Sequence, residues 1–407
     1  MDATAAAPAA SLNSLRKDVK VIGLVATAHM VSHFYYLVLP PLMPLIKAEL
    51  GISYEALGYA LTMFNLVSML TQTPVGFLID RFGARPLLIA GLMLGGLATV
   101  MGAFAQSYWL LLAMMAFVGL ANCVYHPADY SILSSSIAPG RMGRAFGAHN
   151  FAGYVGFAAA PPLMLLTASL WDWRGAMVFA GLLGIAIGLL IWSQAEALHY
   201  DRAAPVPAGK AGPSFAGAGL LTSMPILLAF SFYVCTSIGT SGIMSFSVVA
   251  LQAVHGTPLE FGTAALSGFL AAAAGGVAIG GILADRTRHH DRIAAVGLLS
   301  TATMLCAISW FYPGHVLIVA VMTCAGFLHG AINPSRDMLV RSITPPGQSG
   351  KVFGFVTTGS NLGGIVAPPI LGRILDHGDA HWIFWISAAF LLLAVFARPR
   401  RRDTAGA

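Results

Sequence analysis

The sequence predicts an all-α membrane protein, with twelve transmembrane helices in two pseudo-symmetric six-helix bundles. Of its 407 residues, 57% are hydrophobic and only 9% are charged, and the mean hydropathy is +0.77. A soluble chain of this length needs far more charge to cover its surface. Apolar runs of about 20 residues recur along the chain, which is the length of a membrane-spanning helix. These runs lack the alternating pattern of an outer-membrane barrel.

The third observation is an internal repeat that predicts the two bundles. Twelve residues have partners 207 positions later: Gly119, Asn122, His126, Pro127, Asp129, Gly143, Arg144, Phe146, Gly147, Gly156, Pro161 and Pro162 align with Gly326, His329, Asn333, Pro334, Arg336, Gly350, Lys351, Phe353, Gly354, Gly363, Pro368 and Pro369. Two tandem hydrophobic copies are typical of a membrane transporter whose pathway runs between them.

The apolar runs divide into six spans in each half. The predicted spans are 21–46, 54–79, 87–106, 108–136, 145–169, 175–195, 223–252, 260–284, 293–311, 314–341, 352–375 and 381–397. Residues 196–222 are rich in Ala, Pro and Gly and are predicted to form a cytoplasmic linker. The expected domains are therefore an N-terminal bundle over 1–195, the linker, and a C-terminal bundle over 223–407.

The basic residues predict the orientation of the spans. If the N-terminus is cytoplasmic, eighteen of the 22 Lys and Arg residues fall in cytoplasmic tails and loops. Cytoplasmic segments carry such an excess of basic residues, so we expect a multi-pass protein of the plasma (inner) membrane with both termini cytoplasmic. The net charge of +6 then reflects topology, and no nucleic-acid partner is expected.

Several other classes of protein are disfavoured. The four cysteines, Cys123, Cys235, Cys306 and Cys324, lie in predicted spans without CxxC spacing, so neither disulfides nor a zinc site built on them is expected. The sequence has no G-x-x-x-x-G-K-[ST], HExxH or G-x-S-x-G motif. We therefore expect neither an enzyme nor a resident cofactor. Residues 1–20 differ from a cleaved signal because the following apolar run is too long.

The loop after the second span carries a motif, Gly76-Phe77-Leu78-Ile79-Asp80-Arg81-Phe82-Gly83-Ala84-Arg85-Pro86. Gly83 permits an unusual backbone angle in a tight turn, and Asp80 can accept hydrogen bonds from the N-terminus of a neighbouring helix. Part of the motif returns 205 residues later as Gly281-x-Leu283-x-Asp285-Arg286.

This loop is similar to the G-x-L-x-D-R-x-G-x-R signature of the major facilitator superfamily of transporters. The match is full in the first half and partial in the second, where Thr287 to Asp291 lacks the glycine. The resemblance covers essentially the whole chain and implies a cytoplasmic gate that latches the two bundles together. The residues it implies for that gate are Gly76, Asp80, Arg81, Gly83, Arg85, Asp285 and Arg286.

Two further stretches resemble the branch that includes fosmidomycin-resistance proteins. One runs from Ala28-His29 to Leu39-Pro40, and the other is Tyr125-His126-Pro127. That branch has an acid immediately after His-Pro, whereas this chain has Ala128 there and places Asp129 one residue later. Such a shift turns the side chain by about 100° around a helix.

Polar residues form a one-sided stripe on the fourth span and another on the tenth. Asn122, His126 and Asp129 share the i, i+4, i+7 spacing of His329, Asn333 and Arg336. Ionisable groups inside a membrane are costly unless they face water or a partner. The resemblance implies that spans 1, 4, 7 and 10 line a central cavity, which would set the two stripes opposite each other.

Three roles for Asp129 and Arg336 stay open. They can form an ion pair between the bundles that breaks during transport, or a static pair that fixes packing. Alternatively, Arg336 binds an anionic group of the substrate while Asp129 takes the coupling proton. Asp337 is a competing partner for Arg336. Within the same two spans, Pro127 and Pro334 each remove a backbone hydrogen bond and are candidate helix bends.

The first span adds His29 and His33, one turn apart, with Tyr36 on the same face. These histidines can titrate, bind substrate, hold a structural hydrogen bond, or ligate zinc or nickel. We expect no resident metal site.

The sequence thus favours a secondary active transporter for a small organic solute, working by alternating access. Proton coupling and export are the preferred mode, and a monomer in the lipid bilayer is expected. The alternatives are an uptake carrier for organic anions or carboxylates, and a divalent-metal exporter that uses His29 and His33.

Overall fold

A computed structural model describes residues 6–138, 141–198, 218–287, 289–344 and 349–398. The described residues are helical and contain no β-strand. The helices are α1 (Ala6–Tyr36), α2 (Met43–Leu50), α3 (Tyr54–Phe82), α4 (Ala84–Gly102), α5 (Tyr108–Ser136), α6 (Met142–Leu170), α7 (Trp173–Ser193), α8 (Ala218–Leu221), α9 (Met224–His255), α10 (Leu259–Arg286), α11 (His290–Trp310), α12 (His315–Ile343), α13 (Ser349–Asp376) and α14 (His381–Ala397).

The chain is a multi-pass membrane protein by the length and hydropathy of these helices. Among the described residues, ten segments are long and apolar enough to cross a membrane, and α14 is a shorter apolar helix. Eleven of the twelve predicted spans each match one helix, with shifted ends. The predicted linker lies mostly in 199–217, outside the described residues.

The first span differs most from the prediction. Helix α1 begins at Ala6 and ends at Tyr36, so it does not continue to residue 46. A turn and a short 3-10 helix (Pro40–Leu42) follow before α2 begins. Pro40 has no backbone N–H to donate to the carbonyl of Tyr36 four residues earlier, and its ring crowds that carbonyl. This explains why α1 ends at Tyr36.

The repeated glycines produce the same helix crossing twice. Helix α5 packs against α3 with Gly119 on the carbonyl of Phe64, and α12 packs against α10 with Gly326 on the carbonyl of Phe269. A methyl group at either glycine would collide with that backbone, since only a residue without a side chain lets two helices approach so closely. The repeat in the sequence is therefore a repeat in packing.

The alternation of helices and short loops gives the molecule two faces. We call the face with the starts of α1, α4, α6, α9, α11 and α13 the basic face, because most loop arginines lie there. On it, Arg85 Nη1 donates to the carbonyl of Ala195 (3.1 Å), and Arg141 pairs with Asp18. Gly83 has a φ of 94° between α3 and α4, as the motif predicted.

The gate residues of the motif stay a prediction. Arg81, Arg85 and Arg286 are exposed. The side chains of Asp80 and Asp285 lie outside what the structure describes, so their expected role is not visible in it.

The opposite face carries the tightest contact between the first half of the chain (α1–α7) and the second half (α9–α14). There the start of α3 packs along the end of α13. The carboxylate of Asp376 accepts hydrogen bonds from Lys47 Nζ (2.7 Å), from the backbone N–H of Tyr54 (3.0 Å) and from that of Glu55 (2.8 Å). One acid thus binds the N-terminus of α3, where the helix dipole favours negative charge.

Candidate functional site

A cavity of about 250 Å³ lies between the two halves of the chain. Helices α1 and α6 supply one wall, and α9, α11, α12 and α13 supply the rest. Its polar lining consists mainly of hydroxyl groups and the stripe of α12: Tyr36, Tyr154, Thr236, Ser237, Thr240, Ser241, Ser245, His329, Asn333, Arg336 and Ser360. The cavity is therefore lined largely by hydroxyl groups and carries one guanidinium, that of Arg336.

Arg336 is the cationic group of this cavity. Its Nε donates to Asp337 Oδ1 at 3.0 Å, and its guanidinium lies 4.5 Å from the ring centroid of Tyr233 on α9. The Tyr233 hydroxyl donates to the same Asp337 oxygen at 3.0 Å. The ring and the carboxylate hold the guanidinium in place, which pre-orients a flexible side chain for binding.

Two hydrogen bonds join the halves beside the cavity. Asn333 Nδ2 on α12 donates to the hydroxyl of Tyr154 on α6 at 3.0 Å. Asn65 Nδ2 on α3 donates to the carbonyl of Gly364 on α13 at 3.2 Å, and Tyr36 donates to Asn65 Oδ1 at 3.0 Å. Any separation of the halves here must break both links.

His329 contacts other helices of the second half, to which it belongs. Its Nε2 lies 3.3 Å from Thr240 Oγ1 on α9, and its ring packs near Phe269. Three members of the predicted α12 stripe, His329, Asn333 and Arg336, therefore line one cavity, as the i, i+4, i+7 spacing indicated.

The stripe of α5 lies elsewhere. His126 stands next to the α1 pair: its ring centroid is 4.9 Å from that of His29 and 6.2 Å from that of His33, and the two α1 rings are 4.3 Å apart. One ligand nitrogen from each ring lies within 4.8 Å of the others. We call His29, His33 and His126 the histidine triad.

A fourth histidine, His149 on α6, completes this cluster and was missed by the sequence analysis. Its ring stacks on His29 with centroids 3.6 Å apart, and its backbone carbonyl lies 2.8 Å from His29 Nδ1. His149 belongs to no motif. One signal was available: 207 positions later the chain has Val356, so the two copies disagree at this position too.

Asp129 is fully buried and bonded to this histidine. His149 Nε2 and Asp129 Oδ2 are 3.0 Å apart, and both side chains are at most 1% exposed. Asp129 Oδ1 has no hydrogen-bond partner among the described residues. The expected partner Arg336 is bound to Asp337 instead, so in this conformation the two residues do not form an ion pair with each other.

Asn122 and the prolines complete the predicted set. Asn122 Nδ2 donates to Ser68 Oγ on α3 at 3.0 Å, so this residue ties α5 to its neighbour and is absent from the cavity wall. Pro127 and Pro334 both lie inside continuous helices. Their role as flexing points stays a prediction.

The chain is similar to transporters of known sequence. The family model described as Major Facilitator Superfamily matches residues 25–294 and 229–407. The fosmidomycin resistance protein of Escherichia coli (strain K12) is 24% identical over 404 residues, with 96% of this chain and 95% of that protein covered. A D-galactonate transporter of Escherichia coli O6:H1 is 24% identical over 384 residues, with 86% and 87% covered.

Solved structures share the fold. A bacterial homologue of the human lysosomal transporter Spinster, in an inward-facing and unoccupied conformation, matches with a TM-score of 0.77 at 18% identity, covering 96% of this chain and 99% of that one. The nucleoside transporter NupG matches with a TM-score of 0.76 at 14% identity, covering 94% and 98%. The chain therefore belongs to the Major Facilitator Superfamily of membrane transporters, as the loop motif and the repeat predicted.

Proposed function

We propose that this protein is a secondary active transporter that moves a small organic anion across the membrane by alternating access, driven by protons. The observation that carries the proposal is Arg336, a guanidinium held in a hydroxyl-rich cavity between the two halves. Asp337 accepts from one of its five N–H donors, and arginine suits carboxylate and phosphonate groups because its N–H fork matches theirs.

The proposed architecture is two six-helix bundles, α1 with α3–α7 and α9–α14, with both termini cytoplasmic. In support, helix contacts are dense within each half, while α3 with α13 and α6 with α10 are the main contacts between the halves. The basic face is then cytoplasmic. The opposite face is closed by Asp376 of α13, which binds the N-terminus of α3, and by Thr62 Oγ1 donating to the carbonyl of Ile365 at 2.6 Å. This corresponds to an inward-facing state.

We assign the coupling proton to Asp129. A carboxylate without an arginine or lysine partner is costly in a membrane protein interior, so protonation relieves that cost. The group that faces it is His149 on α6, behind which lie His29 and the rest of the histidine triad. We propose that protonation of Asp129 alters its hydrogen bond to His149, and so couples α5 to α6, which packs against α10 of the second half.

Export is the proposed direction, because the fosmidomycin resistance protein resembles this chain over nearly its full length. Uptake of a carboxylate is the alternative, favoured by the similarity to the D-galactonate transporter. Both substrates are anions, so the role of Arg336 is common to the two. We propose a monomer without enzymatic activity.

The test is a flux assay in proteoliposomes that contain a pH-sensitive dye. Fosmidomycin, galactonate and a neutral alditol are added in turn to vesicles with an imposed proton gradient. We expect the anions to move protons and the alditol not to. Equal proton movement with the neutral compound would refute recognition of an anion, and solute flux without proton movement would refute proton coupling.

A further inference from the structure

We propose that the histidine triad, His29, His33 and His126, is a binding site for a first-row divalent transition metal. The site lies within the first half of the chain, and no residue of it lines the central cavity. It does not depend on the proposed transport function.

His29 is almost completely buried, with 1% of its surface exposed. Its Nδ1 lies 2.8 Å from the carbonyl oxygen of His149, which can only accept, so Nδ1 carries the proton. In the neutral ring Nε2 then holds a lone pair, and it has no partner among the described residues. Histidines that ligate metals typically donate their other N–H to a carbonyl or carboxylate in this way.

His33 and His126 contribute the other two rings of the triad. His126 Nδ1 is buried and has no hydrogen-bond partner in the described part of the chain. The His126 and His33 side chains are partly exposed, which gives an ion a route to the site. Gly153 on α6 leaves room for the rings, because a Cβ there would lie 2.8 Å from Cε1 of His29 and of His33.

The distances and the chemistry of the donor atoms decide which metals fit the site. Three nitrogens within 4.8 Å of one another need to contract to about 3.3 Å for tetrahedral Zn–N bonds of about 2.05 Å, an inward shift of roughly 1 Å per ring. Imidazole suits zinc, nickel and copper, whereas calcium and magnesium prefer oxygen ligands. The clustered ligand atoms are those of the three histidines, and Asp129 is not among them, so the site offers nitrogen donors alone.

His149 has the position of a supporting residue. It is joined to Asp129 on one side and stacks on His29 on the other. A metal in the triad would connect α1 to α5, while His149 on α6 would fix the orientation of His29. Three protein ligands leave a fourth position for water or a solute group.

The experiment is a titration of the full-length protein, purified in detergent with a tag that contains no histidine. Co²⁺ is added and its ligand-field absorption is followed, and Zn²⁺ is then used to displace it. We expect one tight equivalent per chain. His33→Asn and His126→Asn should each weaken binding at least tenfold. His289→Asn is the matched control, because it removes one of an adjacent pair of histidines on the basic face, and it should bind as the unaltered protein does.

Two further measurements keep the proposal testable if those variants fold poorly. Gly153→Ala keeps every ligand but crowds two rings, and it should weaken binding without removing a donor. In the unaltered protein, the nitrogen hyperfine pattern of bound Cu²⁺ counts imidazole ligands, and we expect three. The proposal is overturned if the unaltered protein binds no tight equivalent, if the pattern shows fewer than two imidazoles, or if folded triad variants bind normally. None of these readouts requires transport.

Discussion

The α5 stripe and the α12 stripe occupy equivalent places in the repeat but do opposite things. On α12, His329, Asn333 and Arg336 line the cavity between the halves. On α5, His126 and Asp129 turn into their own half and meet histidines of α1 and α6. One copy of the unit therefore presents a cation to the pathway, and the other buries an acid beside imidazoles.

The difference extends beyond those two helices. Positions 207 residues after His29 and His33 are Thr236 and Thr240, and both line the cavity. The glycines at which helices cross, Gly119 and Gly326, are the same in both copies. The scaffold was thus kept while the polar chemistry diverged, and this division separates solute binding from proton binding in the mechanism that we propose.

The largest expected effect comes from removing the cation of the second half. Arg336→Ala should reduce flux of an anionic solute by about 10- to 100-fold, the value of one or two charge-assisted hydrogen bonds. Arg336→Lys should keep part of the activity, because the charge stays while the N–H fork is lost. The measurement is solute uptake by proteoliposomes without an imposed proton gradient. Normal flux with Arg336→Ala would contradict the assignment of the α12 stripe.

The next effect tests the acid of the first half. Asp129→Asn cannot release a proton, so solute exchange should persist while flux no longer rises with the imposed pH gradient. The dye assay and a solute-exchange assay are run on the same vesicles. Asp379→Asn, on an exposed loop, serves as the control and should couple normally. If the Asp129→Asn protein still moves protons together with solute, Asp129 does not carry the coupling proton.

A smaller effect is expected at the contact between α3 and α13. Asp376→Asn removes the charge that binds the N-terminus of α3 and pairs with Lys47, at a cost of about 1–2 kcal/mol after allowance for partial exposure. Distances between spin labels on α3 and α13 near the opposite face should then show a larger separated population. An unchanged distribution would show that helix packing alone closes this face.

The smallest effect is expected at the link between α6 and α12. Tyr154→Phe removes the hydroxyl that accepts from Asn333, which corresponds to about 0.5–1.5 kcal/mol. The flux at low solute concentration should change by roughly 2- to 10-fold. The coupling of solute flux to proton movement should stay as in the unaltered protein. Tyr108→Phe, away from the cavity, is the control. Loss of coupling in Tyr154→Phe alone would mean that the hydrogen bond transmits the proton signal.

The helices could be predicted from the sequence because membrane spans are long and apolar, and because the repeat gives a second copy of several of them. It failed at the end of α1, where two prolines outweigh a continuous apolar run. For the site, spacing along one helix placed His329, Asn333 and Arg336 on a common wall. The same spacing grouped Asn122, His126 and Asp129, yet they contact α3, α1 and α6 and none of them lines the cavity. A periodicity gives a shared face but not the neighbour that this face meets.

Contacts between distant segments account for the rest. His149 joins Asp129 from 20 residues away and on a different helix, and no motif connects the two. The Asp376 contact spans more than 300 residues. Such pairs follow from tertiary packing, which a single sequence does not encode in local pattern.

The Asp376 contact also makes the two sides of the membrane unequal for the solute. A contribution of about 1–2 kcal/mol toward the closed opposite face lowers the population ratio of the other state by roughly 5- to 30-fold. In the inward-facing state that we propose, a solute arriving from the basic face meets an open cavity. A solute arriving from the other face must bind a minor population, and its apparent dissociation constant rises by the same factor. A single carboxylate at the end of α13 thus gives the transporter a different apparent affinity on each side, even if the cavity itself binds equally well in both states.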